Sequence, residues 1–87
     1  MTPQEAAQWM LDELTKRKVL DQERAAYALR KQDKSLTYMN DNGNVAISKD
    51  VLAEFRKLTP GDDIVWSRSE RHWRLRKKFD KPGRMQD

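Results

Sequence analysis

The sequence contains no cysteine and a single histidine, His72. Without cysteine there can be no disulfide framework, no thiolate metal site and no thiol nucleophile, a composition typical of cytoplasmic proteins. One histidine is too few for the usual zinc sites. Three glycines leave no glycine-rich phosphate loop. We therefore expect no catalytic residue, metal, cofactor or small-molecule substrate, and predict that the protein is not an enzyme.

Long apolar runs are also missing. No stretch approaches the roughly 20 apolar residues of a membrane span, and the opening MTPQEAAQWM lacks the basic start and apolar run of a secretory signal. Hydrophobic and charged residues each make up 37% of the 87-residue chain. This composition predicts one small, cytoplasmic domain with a modest core and no membrane contact.

Positive charge is concentrated at the C-terminal end. Residues 1–63 carry ten Lys or Arg against eleven Asp or Glu, whereas residues 64–87 carry eight against three. The whole excess behind the net charge of +4 therefore lies in the last quarter of the chain. Such an asymmetry favours an acidic protein partner or nucleic acid.

Helix signals occur at three places. Thr2 and Glu5 form a Thr-x-x-Glu capping box around Pro3, and Asp21 and Ser48 are good N-caps ahead of apolar residues at helical spacing. The three predicted helices cover residues 3–17, 21–32 and 48–59. Val19 and Leu20 predict a short extended segment between the first two helices.

The run LTYMNDNGNVAIS predicts a β-hairpin, because Asn-Gly favours a type I′ turn. A turn at residues 42–43 places Tyr38 opposite Ile47 and Met39 opposite Ala46. A purely polar loop is the alternative.

A second hairpin is predicted over residues 63–77, with Ser69 and Glu70 at the centre of the turn. This register pairs Trp66 with Trp73 and Ile64 with Leu75, so one face is apolar. It also pairs Asp63 with Arg76 as an ion pair, and it leaves Val65, Ser67, His72 and Arg74 on a solvent face. We assign the following residues to the core: Trp66, Trp73, Ile64, Leu75, Phe55 and Leu52.

These elements define an α+β fold, similar to a winged helix-turn-helix, with three helices, an inserted β-hairpin and a C-terminal β-hairpin as the wing. The domain is predicted to cover residues 1–79. Residues 80–87 have no apolar pattern and are predicted to be a flexible tail.

The runs NGNVAISKDVLAEFRKLTP, VWSRSERHWRLR and PGRMQD resemble a family of short bacterial proteins of unknown function. The resemblance covers nearly the whole chain, most specifically residues 42–76. It implies a winged-helix-like fold and no activity.

Two functions are consistent with this charge distribution and this order of elements. The first is a protein-interaction or adaptor module that uses the basic C-terminal hairpin; the second is duplex DNA binding by the helix at 48–59 and the wing at 63–77. Asp50 and Glu54 on that helix weigh against DNA. The predicted contacts in either case are Lys49, Arg56, Lys57, Arg68, Arg71 and Arg74. Single-strand binding through Trp66 and Trp73, a solvated basic face and a homodimer remain open.

Overall fold

A computed structural model describes residues 1–86 and confirms the α+β class. Within residues 1–86 there are three α-helices: α1 (Pro3–Arg17), α2 (Gln22–Gln32) and α3 (Lys49–Leu58). Six strands accompany them: β1 (Val19–Asp21), β2 (Thr37–Met39), β3 (Val45–Ile47), β4 (Ile64–Ser67), β5 (His72–Leu75) and β6 (Met85–Gln86). A short 3₁₀ helix, Lys34–Leu36, precedes β2.

The helices begin where their capping residues predict. Thr2 Oγ1 accepts from the backbone nitrogen of Glu5 at 3.1 Å, and the Thr2 nitrogen donates to Glu5 Oε1 at 2.8 Å, which completes the capping box. Asp21 and Ser48 accept from backbone nitrogens three residues ahead, each at 3.4 Å. All three helix predictions are thereby confirmed, because each cap satisfies backbone donors that the first turn leaves free.

The strand β1 joins the C-terminal hairpin in a four-stranded sheet of order β1-β5-β4-β6. The hairpin register is the predicted one, with Trp66 opposite Trp73 and Ile64 opposite Leu75. The predicted ion pair between Asp63 and Arg76 is wrong. The backbone N–H of Arg76 donates to the Asp63 carbonyl at 2.8 Å, but the Arg76 guanidinium pairs with the carboxylate of Asp62, at 3.4 Å.

The middle hairpin is confirmed, whereas its register is wrong by one residue. Tyr38 lies opposite Ala46 and Met39 opposite Val45. Asn40 Oδ1 accepts from two loop nitrogens at 3.0 Å, and Gly43 alone in this loop has a positive φ, 79°. A type I′ turn needs two such residues, so the turn is of another type. Gly43 follows it in the left-handed conformation and adds one residue to the loop.

The core lies between the helices and the sheet. The helix α3 packs mainly against α1, and Phe55 contacts Trp73 edge to face, with the ring centroids 5.3 Å apart. Of the predicted core residues, Phe55 and Trp73 are buried, and Leu52, Ile64 and Trp66 are half-buried. The prediction is wrong for Leu75, which is exposed because the strand pair ends there.

The second face of the hairpin is not a solvent face. Val65 and Ser67 are buried, and Arg74, directly opposite Val65, binds Asp80 across this face. Residues 77–86, which we call the C-terminal strap, run over the sheet and end as β6 in parallel with β4. This placement differs from the tail predicted from residue 80 onward; Asp87 lies outside the described residues.

Candidate binding groove

The predicted contact residues on α3 fall into two groups. Lys49 and Arg56 are seven positions apart and share one stripe of the helix with Leu52. Asp50 and Glu54 form a neighbouring stripe, and Lys57 is already paired with Glu54 at 3.2 Å. Helical geometry therefore keeps Lys49 and Arg56 apart from the acidic stripe and leaves Lys57 within it.

Arg68 and Arg71 are exposed in the loop between β4 and β5, as predicted. The loop itself is held on both sides. The nitrogen of Arg68 donates to the Gln86 carbonyl at 2.8 Å, and the Arg71 carbonyl accepts from the Gln22 nitrogen at 3.1 Å. The loop is thus tied to β6 and to the start of α2 and does not project as a free wing.

Arg74 is not available as a surface contact. Its guanidinium donates to both carboxylate oxygens of Asp80 at 2.7 and 2.8 Å, and only 18% of the Arg74 side chain and 3% of the Asp80 side chain are exposed. The Arg74 hydrogen bonds, with a further one from the Lys77 nitrogen, hold the pKa of Asp80 well below its usual range. This pair fixes the C-terminal strap on the sheet, so the prediction of Arg74 as a partner contact is corrected.

A groove lies between α3 and the sheet, where the strap reaches β4. It has a volume of about 270 Å³. The apolar residues Leu52, Phe55, Trp66, Trp73 and Met85 form its floor and walls. The Trp66 and Trp73 rings are 4.8 Å apart, and Met85 is 51% exposed. The groove is therefore an open, largely aromatic surface.

Two arginines and one amide complete this binding groove: Arg56 from α3, Arg84 from the strap, and Gln22 from α2. Arg84 donates to the Thr59 carbonyl, to Thr59 Oγ1 at 3.0 Å and to the Gly61 carbonyl at 3.2 Å. These acceptors orient the guanidinium without neutralising it. Among the described residues, no carboxylate lies within 4 Å of Arg84 or Arg56.

The electrostatics of the groove follow from this arrangement. Burial lowers the pKa of Arg84, and the adjacent positive charge of Arg56 lowers it further, while Asp62 acts in the opposite direction. Two like charges beside an apolar surface create a positive potential that attracts anions, and a bound anion would reduce the repulsion between the two arginines. The groove can thus hold an apolar group with an acidic group beside it.

A wider depression of about 670 Å³ lies between α1 and α2, lined in part by Trp9 and Tyr27. Three acidic and three basic residues surround it, so it has no preference for ligands of one sign. No cluster of three or more metal-ligating side chains occurs within residues 1–86. In that same part of the chain, no helix is long and apolar enough to cross a membrane.

Of the predicted contacts, only Arg56 lines the binding groove, and sequence reasoning missed Arg84. The one signal for Arg84 was the run PGRMQD, whose Pro-Gly pair marks a turn that precedes it. Nothing in that run states that the arginine reaches Thr59, 25 positions earlier in the chain.

The described part of the chain is thus a small α+β domain of three α-helices and two sheets, with a groove lined by arginine and aromatic residues on one side. The chain belongs to a family of unknown function, DUF6953, which matches residues 2–75. Comparisons with curated proteins and with solved structures give no significant match. The C-terminal strap lies beyond the matched residues.

Proposed function

We propose that this protein is a small interaction module that binds an acidic segment of a partner protein in the binding groove. The observation that carries the proposal is that Arg56 and Arg84 line an aromatic groove and form no ion pair with any described carboxylate. Arginine pairs with carboxylates through two parallel hydrogen bonds, and aromatic side chains are frequent anchors of protein interfaces. The role is one of binding, and we propose neither catalysis nor a cofactor.

The size of the groove favours a short segment as the ligand. A volume of about 270 Å³ is just below the range of pockets that enclose a small-molecule ligand, roughly 300–1,000 Å³. One apolar side chain on the floor, with acidic residues on either side reaching Arg56 and Arg84, would fill it. Lys49, on the same stripe as Arg56, extends the basic rim by two helical turns.

We also propose that the fold is a winged-helix frame and that the protein is cytoplasmic. The frame is supported by the order helix, short strand, two helices and hairpin, in which the first strand pairs with the second strand of the hairpin. The inserted β2–β3 hairpin and the packing of α3 mainly against α1 are departures from the simplest form of that frame. Frames of this kind do not fix a function, so it is the groove, and not the frame, that supports a binding role.

A direct test uses a fluorescein-labelled peptide in which a leucine is flanked by glutamates, with the same peptide carrying lysines as the control probe. We expect saturable binding of the acidic peptide in anisotropy titrations, accompanied by a change in tryptophan fluorescence from Trp66. Arg56→Glu should weaken binding about tenfold or more. Lys57→Glu changes the charge equally on the acidic stripe and should cost less than about threefold.

Equal losses in Arg56→Glu and Lys57→Glu would reduce the effect to overall charge and overturn the groove as the site. No binding of the acidic peptide at low salt, or equal binding of the lysine peptide, would overturn the proposal itself.

Duplex DNA is the second candidate, supported by the exposure of Lys49 and Arg56 on α3 and of Arg68 and Arg71 in the hairpin loop. The acidic stripe and the tethered loop weigh against it. Anisotropy of a labelled random duplex at about 50 and about 200 mM salt tests this candidate directly, because phosphate contacts weaken steeply with salt. Binding that is lost in Arg68→Glu/Arg71→Glu would favour DNA over the acidic peptide.

A further inference from the structure

The strap presents one aromatic ring to solvent on a rigid turn. Phe79 is 80% exposed, the highest value among the large hydrophobic residues described. It sits at the tip of a turn closed by the Asp80 nitrogen, which donates to the Lys77 carbonyl at 3.1 Å, and by the Lys77 nitrogen, which donates to Asp80 Oδ2 at 2.6 Å. Since Arg74 grips the same carboxylate, the turn is fixed to the sheet.

The sheet brings a second basic run to the same end of the molecule. The pairing of β1 with β5 starts with Val19 opposite Arg74, so Lys18, which precedes β1, and the end of β5 at Leu75 are at the same end of the strand pair. Lys18 closes α1, with a φ of 70°, and the strap begins two residues after Leu75. We call the following residues the basic pole: Lys16, Lys18, Lys77 and Lys78.

The four lysines of the basic pole are exposed and form no ion pair within residues 1–86. The Lys77 Nζ lies 5.7 Å from the centre of the Phe79 ring. The pole therefore combines several free positive charges with one ring held away from the core, on the side of the hairpin opposite the loop that carries Arg68 and Arg71.

We propose that the basic pole binds single-stranded nucleic acid, with a base stacked on Phe79 and phosphates on the surrounding lysines. Stacking on an exposed aromatic ring is independent of base identity, and lysines next to it can follow the backbone. The site is separate from the binding groove, so it would be a second activity of the domain, of low affinity and strong salt dependence.

An anionic membrane is the other acidic surface that a phenylalanine among lysines could meet. Stable membrane attachment requires far more buried apolar surface than one ring, since even a single acyl chain binds only marginally. Duplex nucleic acid has its bases stacked internally and leaves the ring without a partner. A single strand therefore fits the pole best.

The test is an anisotropy titration of the full chain with labelled oligo(dT) and oligo(U) at about 50 and about 200 mM salt. Phe79→Ala should weaken binding roughly 5- to 100-fold, whereas Phe79→Tyr, which keeps the ring, should stay within about twofold. Lys77→Glu/Lys78→Glu should weaken binding and flatten its salt dependence. The matched charge reversal at the other end of the hairpin, Arg68→Glu/Arg71→Glu, should leave the affinity within about threefold.

Asp80→Asn separates presentation of the ring from simple charge attraction. The substitution removes a negative charge, so attraction alone predicts tighter binding, whereas a ring that depends on the fixed turn predicts weaker binding. Thermal unfolding of each variant confirms that the fold is intact; Phe79→Ala removes an exposed ring and is not expected to affect it.

Oligonucleotide binding that is unchanged in Phe79→Ala, or tighter in Asp80→Asn, would overturn the stacking site. So would an absence of binding at the lower salt. Sedimentation with phosphatidylserine vesicles provides the remaining comparison: binding to vesicles without binding to oligonucleotides would assign the pole to a membrane surface and contradict the proposal.

Discussion

Arg84→Met should destabilise the domain although it removes no core residue. Methionine keeps most of the aliphatic stem, so the change is confined to the guanidinium. Arg84 is the donor to the carbonyl and the hydroxyl of Thr59, a residue only 4% exposed at the end of α3. The Thr59 hydroxyl also donates to the Phe55 carbonyl at 2.9 Å, so it keeps one partner when the arginine is lost.

The expected magnitude follows from the Thr59 carbonyl. A buried acceptor left without a donor costs about 1–3 kcal/mol. The third acceptor, Gly61, is exposed, and water can replace the arginine there. We therefore expect a loss of about 2 kcal/mol in the free energy of unfolding, which corresponds to roughly 8–16 °C in Tm for a domain of this size.

The assay is urea and thermal unfolding followed by tryptophan fluorescence, with Arg68→Met as the matched control. Arg68 is exposed, and substitutions at such positions stay within about 0.5 kcal/mol. Arg56→Met should also be close to neutral, because it relieves repulsion with Arg84. An Arg84→Met variant as stable as the Arg68→Met control would refute the reasoning, since Thr59 would then be satisfied without the strap.

Three further predictions concern stability. The pKa of Asp80 is lowered in the folded state by Arg74, so the stability from this pair is complete above the usual aspartate pKa of 3.8 and is lost as pH falls below it. In urea unfolding at a series of pH values, Asp80→Asn should therefore lose less free energy of unfolding below that pH than the parent does. Thr2→Ala removes the N-cap of α1 and should cost about 1 kcal/mol by thermal unfolding. Gly43→Ala should cost about 1–2 kcal/mol, because φ is 79° and alanine is strained in this left-handed conformation. No atom of the described residues lies within 4 Å of the added Cβ, so the cost is one of backbone conformation, and Gly43→Asn should cost less because asparagine tolerates that conformation.

Each of these has a contrary result. If the free energy of unfolding of Asp80→Asn fell as steeply at acidic pH as that of the parent, other carboxyl groups would dominate acid unfolding. A neutral Thr2→Ala would mean that the first turn of α1 frays in solution. Equal costs for alanine and asparagine at position 43 would place the loss in loop contacts and not in the left-handed backbone.

Local signals predicted the elements of this fold well. Caps at Thr2, Asp21 and Ser48 satisfy backbone donors within three residues, so the information lies in adjacent sequence. The pairing of Trp66 with Trp73 was predictable because a slip of one residue would move one of the two rings to the other face. The middle hairpin had no such constraint, since Tyr38 and Met39 are both exposed, and its register was missed.

The candidate site was predicted only in part. The sequence identified Arg56 as an exposed cation on the third helix, and it identified the aromatic pair that forms the floor of the groove. It assigned Arg74 to the surface because arginine at an alternate strand position usually faces water. Asp80, six residues later, folds back onto that face and removes Arg74 from solvent.

The sequence by itself determined the α+β class, three capped helices, the register of the aromatic hairpin and the position of the excess positive charge. Each of these depends on neighbouring residues or on a two- or four-residue period. Only the tertiary structure decided that the C-terminal strap covers the second face of the sheet and that Arg84 lines one groove with Arg56 and Trp66. It also decided that Lys18 and Lys77 share one end of the molecule. The physical reason is that these contacts join residues far apart in the chain, through charge and hydrogen bonding that have no sequence period.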